Sequence, residues 1–466
     1  MSFAGTSASS RLADITGHEY VLTDPAQLAS YEIDGKVPIT AIRPGSAAEV
    51  AEIVKFAAAE KMSIVACGAR SKLAIGSPPS RYDVALDLTR LDRVMAYDPD
   101  DLTLSVEAGV PLRTLAQTLA EHNQFLPLAV PFLNQTTMGG LIASGVDSPL
   151  RQFYGTARDF LLGMEFVTGE GVAAKSGGRV VKNVAGYDLH KVMIGALGTL
   201  GVITRVNFKT FPMPIQTRGF VARFPTEEPA FDLRNRIMRS ALTPLTMEIF
   251  SPHVAELFES DCAAQCDPEP MPAEVLSRTE WTLSTSYTGN DKVLARYALD
   301  LQQTAEKAGA TATAVLGESL QPAWTRKREF IPIALASSPA ATIFKISVLP
   351  TGMAEAIAVA QQAAETKALR WAAMGRGAGI IYFALLPREV SQDTKQSVTL
   401  VADTINATCA KLQGHATIPW CPSDWKPSLK IWGPPRPDAA LMQKIKNVFD
   451  PLNILSPGRA WAPESP

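Results

Sequence analysis

Apolar and polar positions recur along this chain with two different periods, and each change of period marks an element. Thr40–Arg43 is a short β run ending at Pro44. From Ser46 to Lys61 the apolar positions Val50, Ile53, Val54 and Ala57 fall three and four apart, which places them on one helical face. A second β run, Ser63–Ala66, enters a turn of small and basic residues, Cys67-Gly-Ala-Arg-Ser-Lys72. Val84–Leu88, Val94–Tyr97 and Leu102–Val106 read as strands, with the turn formers Asp98-Pro-Asp-Asp101 between the last two. The pattern then predicts a helix over Leu112–His122 and a hairpin of Phe160–Thr168 and Val172–Ala174 about Gly169-Glu-Gly171. A helix over Asp188–Gly195 and a strand over Val202–Phe208 follow.

The second half is less legible. Asp291–Ala310 and Met353–Lys367 carry helical spacing; Thr342–Leu349 and Gly379–Leu386 read as strands. Hairpins dominate over regular βαβ units, so the fold class is α+β. All seven Trp lie at or beyond Trp281, and the cluster Phe211-Pro-Met-Pro214 precedes that change. A domain boundary is expected there, and Pro268, Pro270 and Pro272 mark a later loop.

Length and charge narrow the function classes. A chain of 466 residues has room for two or three domains at roughly 100–200 residues each. Lys and Arg number 44 against 46 Asp and Glu, so no footprint for nucleic acid is visible. No run of 18 apolar residues suggests a membrane span. The N-terminal stretch lacks an apolar core and carries an early acid, unlike a signal or transit peptide; a cytoplasmic location is expected, with any membrane association arising through partners. Of the five cysteines, Cys262 and Cys266 form a C-x3-C pair without further ligands nearby. They read as free thiols or one adventitious disulfide rather than a zinc or cluster site.

Four segments combine glycine with polar residues: Ala66–Lys72, Thr136–Gly145, Tyr154–Asp159 and Gly195–Ile203. One such loop is ordinary, because turns demand glycine. Four within the first half point to a large phosphate-bearing cofactor, approached closely by backbone N–H groups. The run Gly195-Ala-Leu-Gly-Thr-Leu-Gly201 has the wrong spacing and follows helix with strand, so it is not a dinucleotide fingerprint; no P-loop occurs either.

Thr137-Met-Gly-Gly140, Ser144–Asp159, Gly169-Glu-Gly171, Gly186-Tyr-Asp-Leu189 and Gly195–Ile203 resemble the vanillyl-alcohol oxidase / para-cresol methylhydroxylase (PCMH) flavoproteins. Ser176–Lys191 is similar to the FAD-binding E subunits of bacterial glycolate oxidases. The resemblance covers residues 38–212 and a tail motif, Phe449–Arg459. It implies an N-terminal extension (1–37), a two-lobed PCMH-type FAD-binding domain (38–213), an α+β cap (214–440) and a segment returning to the FAD domain (441–466). It also implies cofactor roles. Cys67, Gly68, Ala69, Arg70, Ser71 and Lys72 would wrap the FAD pyrophosphate. Thr137, Met138, Gly139, Gly140, Ser144 and Gly145 would line the dinucleotide, and the Tyr154-Gly155 turn would lead into Arg158 and Asp159. Gly198, Gly201, Val202 and Ile203 would approach the adenine or ribitol side. Arg70, Lys72 and Lys182 are candidate phosphate partners, although Lys182 reads equally well as a solvated charge. Some members attach FAD covalently to a His of the first loop; this loop has none, so the FAD is expected to be non-covalent.

The second half departs from related 2-hydroxyacid dehydrogenases, which carry two histidines around a Gly-Asp-Gly-Asn core. His18, His122, His190, His253 and His415 are the whole complement here, and none has that context. No metal site is expected and the catalytic base is unassigned. In Trp324-Thr-Arg-Lys-Arg328, Arg326 and Arg328 compete as the binder of a substrate carboxylate, against the ordinary reading of a solvated charge run. Ser456 stands where the family usually has Asn before Pro-Gly.

The resemblance implies the FAD-binding subunit of a glycolate oxidase (glycolate dehydrogenase) complex, forming glyoxylate alongside a larger FAD-linked subunit and an iron–sulfur subunit. The missing histidines favour a chain whose flavin takes electrons from that partner over one that oxidises a hydroxyacid itself. A stand-alone dehydrogenase of another 2-hydroxyacid, and a scaffold with structural or no FAD, are the alternatives.

Overall fold

The computed structural model describes residues 3–180, 186–266, 275–317 and 327–460. The first half holds two sheets over one shared core. The smaller has the strand order Val21–Leu22, Thr40–Ile42, Val84–Asp87, Ile64–Cys67, the last three parallel. Its crossover helix, Ala47–Ala59, buries the four apolar positions named above. The Ser46 hydroxyl accepts from Glu49 N–H, and the Glu49 carboxylate reaches back to Gly45 N–H at 2.8 Å. The helix therefore starts where its orphan N–H groups find side-chain acceptors.

The second sheet is antiparallel: Val94–Asp98, Thr103–Glu107, Val202–Lys209, Leu161–Val167, Ala173–Gly177. Ile42 and Leu86 from one sheet and Leu104, Val106 and Val206 from the other lie in the same apolar cluster. Leu102 has φ +53°, so its strand begins one residue later than the sequence suggests.

The predicted helix over Asp188–Gly195 is a correction. Only a single 3-10 turn forms, Leu189–Lys191. Met193 is buried, whereas Leu189 and Val192 are exposed, so the segment has no continuous apolar face to dock. A run this short does not hold a helix without one.

The second half is built on one eight-stranded antiparallel sheet. Its order is Ala312–Leu316, Thr217–Phe224, Trp281–Thr288, Thr246–Phe250, Trp371–Arg376, Ile380–Leu385, Thr342–Ser347, His415–Trp420. Successive residues go to opposite faces. Met247 and Ile249 join one core with helices Glu227–Met238, Asp291–Lys307, Met353–Thr366 and Gln392–Lys411. Phe250 joins another, which takes in Ile75 and touches Phe132, Val146 and Leu197 of the first half. That second face is the seam between the halves.

The C-terminal segment returns to the first half. Ile64 N–H donates to Ile454 O at 2.8 Å and Ser456 N–H to Ile64 O at 2.7 Å, adding a strand-like edge beside Ile64–Cys67. Arg459 is buried, and its guanidinium holds the carbonyls of Leu73, at 2.6 Å, and Ile75. Lys426 is ion-paired with Asp34 at 2.8 Å and donates to Ala74 O. Both tie later residues to the loop that follows Cys67. Cys262 is a free thiol, its Sγ donating to Ala336 O at 3.3 Å.

Candidate active site

A narrow crevice runs between the loop after Ile64–Cys67 and the N-terminal end of helix Met138–Ser144. Residues 66–73, Gln135, Thr137, Gly140, Ser144, Leu197 and Arg459 line one end. Leu88, Ala108, Gly139, Gly198, Gly201 and Ile203 line the other. Thr137 caps the helix, its hydroxyl accepting from Gly140 N–H. Two glycines are required by contact. A Cβ on Gly68 would lie 2.1 Å from Thr137 Oγ1, and one on Gly139 would lie 2.8 Å from Ala108 Cβ. Both walls are backbone because no side chain fits.

The polar groups suit a phosphate-bearing ligand. Among the described residues the Lys72 ammonium is held by two hydroxyls, Thr136 Oγ1 at 2.5 Å and Ser71 Oγ at 3.1 Å, over the face of Phe132. Burial lowers its pKa to about 8, against the pull of the Glu329 carboxylate the other way. A cation with no carboxylate in ion-pair contact among the described residues, beside a glycine-walled crevice, fits an anionic ligand. Ser456 Oγ is buried without a hydrogen-bond partner beside Gly198. Arg70 is already engaged, at 3.0 Å from Asp87 and over the Tyr31 ring. The Cys67 thiol is buried, and burial pushes its pKa well up, so it is no nucleophile.

The candidates therefore separate. Residues 67–72, Thr137, Gly139, Gly140, Ser144, Gly198, Gly201 and Ile203 lie along the crevice. Met138 and Val202 are buried in the core behind it. The Tyr154 ring packs edge-on against Phe125, Phe153 and Phe211. Asp159 closes a capping box with Thr156. Gly145, Gly155 and Arg158 border a second cavity at the seam, with Asp147, Arg151 and Lys345. Arg328 is partly buried and pairs with Glu329 at 3.2 Å. Lys182, Trp324 and Arg326 lie outside the described residues.

Glu329 bridges the halves: its carboxylate accepts from Phe132 N–H at 2.8 Å and Leu133 N–H at 3.3 Å. Deeper in the seam is a charge cluster. Asp147 is paired with Arg376 at 2.8 Å and Arg151 at 3.0 Å. Burial pushes its pKa up, but the two guanidinium groups and Lys345 outweigh that and hold it below the usual carboxylate range. Glu248 is buried, and burial raises its pKa. Its Oε1 lies 3.9 Å from Arg376 Nε, and neither atom makes a hydrogen bond. Lys327 is buried against Phe250 and Ser284; burial lowers its pKa to about 8. Asp147 was visible inside a glycine-rich run, but nothing in the spacing tied it to positions 248, 327, 345 and 376.

Two family matches fit this geometry. Residues 38–177 match the FAD binding domain family. Residues 214–417 and 435–460 match the C-terminal domain of FAD linked oxidases. The chain belongs to the FAD-linked oxidases. Its cofactor is FAD, and the glycine-walled crevice of this oxidase, with Lys72 at its mouth, fits that group. Solved structures share the fold at low identity. A substrate-bound p-cresol methylhydroxylase superposes with a TM-score of 0.78 at 17% identity, covering 98% of this chain and 97% of that one. The 4-ethylphenol oxidase of Gulosibacter chungangensis gives 0.77 at 17% identity, covering 99% and 98%. Among curated relatives, glycolate oxidase subunit GlcE of Escherichia coli is 38% identical over 164 residues. That match takes in 35% of this oxidase and spans about half, 46%, of the relative. A D-2-hydroxyglutarate dehydrogenase of Xanthomonas citri is 26% identical over 460 residues, covering 94% of this chain and 93% of that one.

Proposed function

We propose that this oxidase is the FAD-carrying subunit of a glycolate-oxidising complex, working beside a larger FAD-linked subunit and an iron–sulfur subunit. The observation that carries this reading is the 38% identity with GlcE. The same reading divides the chain at residues 37/38, 213/214 and 440/441. Residues 67–72, Thr137, Gly139, Gly140 and Ser144 would hold the pyrophosphate end of FAD, and Gly198, Gly201 and Ile203 its far end.

Bound FAD supplies the acceptor for two electrons from a C–H bond. The chain supplies position and electrostatics. Lys72 neutralises phosphate, the glycine walls exclude water, and the seam of charges keeps the two halves in register. With no histidine in the crevice, the loop around Cys67 offers no covalent attachment through that side chain. Acid precipitation should release the yellow colour into the supernatant.

The match over 94% of the chain with D-2-hydroxyglutarate dehydrogenase favours a second reading, a self-sufficient dehydrogenase of another 2-hydroxyacid. An anaerobic absorption spectrum before and after adding glycolate tests both. Bleaching of a yellow chain means that it has its own hydroxyacid site. A yellow chain that stays oxidised alone, but is reduced in a complex copurified with an iron–sulfur protein, supports the first reading. A colourless chain that takes up no added FAD overturns both.

A further inference from the structure

The C-terminal segment brings two unsatisfied polar atoms to the crevice. Arg459 is buried and lines it beside Lys72 and Thr137. Its Nη2 is spent on backbone, donating to Leu73 O at 2.6 Å and to Ile75 O. Its Nη1 is buried and has no hydrogen-bond partner among the described residues. Three residues earlier, Ser456 Oγ is in the same condition beside Gly198, which lines the other end of the crevice.

The contrast with Lys426 shows that bracing the loop is only part of what Arg459 does. The carbonyls of residues 73 to 76 go alternately to these two buried cations. Arg459 takes Leu73 and Ile75; Lys426 takes Ala74 at 2.6 Å and Gly76 at 3.0 Å. Lys426 also pairs with Asp34 at 2.8 Å, so its three N–H groups are all used and its charge is compensated. Arg459 has no carboxylate in ion-pair contact among the described residues. Burial lowers its pKa to about 10, against the more distant pull of Asp34 and Tyr82. A buried guanidinium is costly until an anion compensates it. A planar fork with one nitrogen fixed on carbonyls and the other open suits a phosphate oxygen. The backbone of Arg459 is anchored as well. Ser77 N–H donates to Arg459 O at 3.0 Å, and a Cβ on Gly76 would lie 2.7 Å from that oxygen. The open nitrogen is therefore already positioned, which lowers the ordering cost of binding.

We propose that Arg459 is a direct ligand of the FAD pyrophosphate, sharing its charge with Lys72. The C-terminal segment is then part of the cofactor site. Every cofactor residue expected from the sequence lies in the first half, and residue 459 lies outside the 38–177 match to the FAD binding domain family. The inference rests on placing the pyrophosphate by residues 67–72.

The test uses the full chain stripped of flavin, with ADP and adenosine as competitors of FAD binding, read by flavin fluorescence. Only ADP carries a pyrophosphate, so it should compete better with wild type. Arg459→Met should weaken FAD binding by about tenfold or more, the loss of one charged hydrogen bond. It should shrink the advantage of ADP by a similar factor and leave competition by adenosine unchanged. Should that variant not fold, Arg459→Gln, which still donates to a carbonyl but carries no charge, gives the same comparison. Arg459→Lys should recover part of the ADP advantage. A residue that only braces the loop would weaken ADP and adenosine alike, so an unchanged ratio in R459M or R459Q overturns the assignment. Wild-type FAD affinity in those variants overturns it too. Lys72→Met separates the two ways of failing. An ADP advantage unchanged at both positions places the pyrophosphate elsewhere; one unchanged at 459 alone removes only Arg459.

Discussion

The crevice and the seam are built from different parts. The crevice is walled by backbone and small residues, and among the described residues two of its cations, Lys72 and Arg459, have no ion pair. The seam is made of long side chains, Asp147, Arg151, Glu248, Lys327, Lys345 and Arg376, most of them buried. A large cofactor is held by many close contacts, so its site is defined by side chains that are absent. The seam joins the two halves, and it depends on a few charges held against one another. Damage should therefore differ: added bulk breaks the crevice, and lost charge breaks the seam.

The largest effect is expected at Gly68. Its Cβ position already collides with the Thr137 hydroxyl, so Gly68→Val should abolish flavin retention while far-UV circular dichroism stays native. Wild-type flavin stoichiometry in this variant would show that close backbone approach is not what builds the crevice. Next comes Arg376→Met, which leaves Asp147 and Glu248 buried beside one another. Urea unfolding should show a loss of about 3–5 kcal/mol. Adding Asp147→Asn should return part of it; additive losses would mean that the seam charges are not coupled. Glu329→Gln removes the charge that receives Phe132 and Leu133 N–H, and should cost about 1–3 kcal/mol in the same measurement. The smallest effect concerns pH. In the free crevice Lys72 loses its proton near pH 8, whereas bound phosphate retains it. Flavin affinity should therefore fall from about pH 8 upward, by at most about tenfold per pH unit, until the ordinary lysine range near 10.4. The apo fold should show the opposite sign. A lysine whose folded pKa is depressed makes the apo chain gain stability across that window. Lys72→Met should flatten both profiles; an unchanged affinity profile would remove Lys72 from the phosphate site.

The same contrast explains what could be read from the sequence. The crevice was legible because glycine turns flank strands with clear alternation, as at Cys67–Lys72 and Thr137–Gly140. The large sheet was mostly hidden. Thr246–Phe250 and Trp371–Arg376 are buried at every position, so they show no alternation between apolar and polar residues. Asp188–Gly195 misled in the opposite direction: its apolar residues fall at helical spacing, but two of them face solvent. The seam left no local trace at all. Asp147, Glu248, Lys345 and Arg376 come together only through the register of the large sheet against the first half.

The clasp made by the C-terminal segment also orders events in time. Arg459 holds the carbonyl of Leu73 from 386 residues further along the chain. A ribosome releases the cofactor loop 386 residues before its brace. Domains fold as they emerge, and contacts so distant in sequence close slowly. The crevice lip therefore waits, unbraced, until residue 459 has been made. A chain interrupted before residue 450 would carry every glycine of the crevice and still leave the loop after Cys67 without its support.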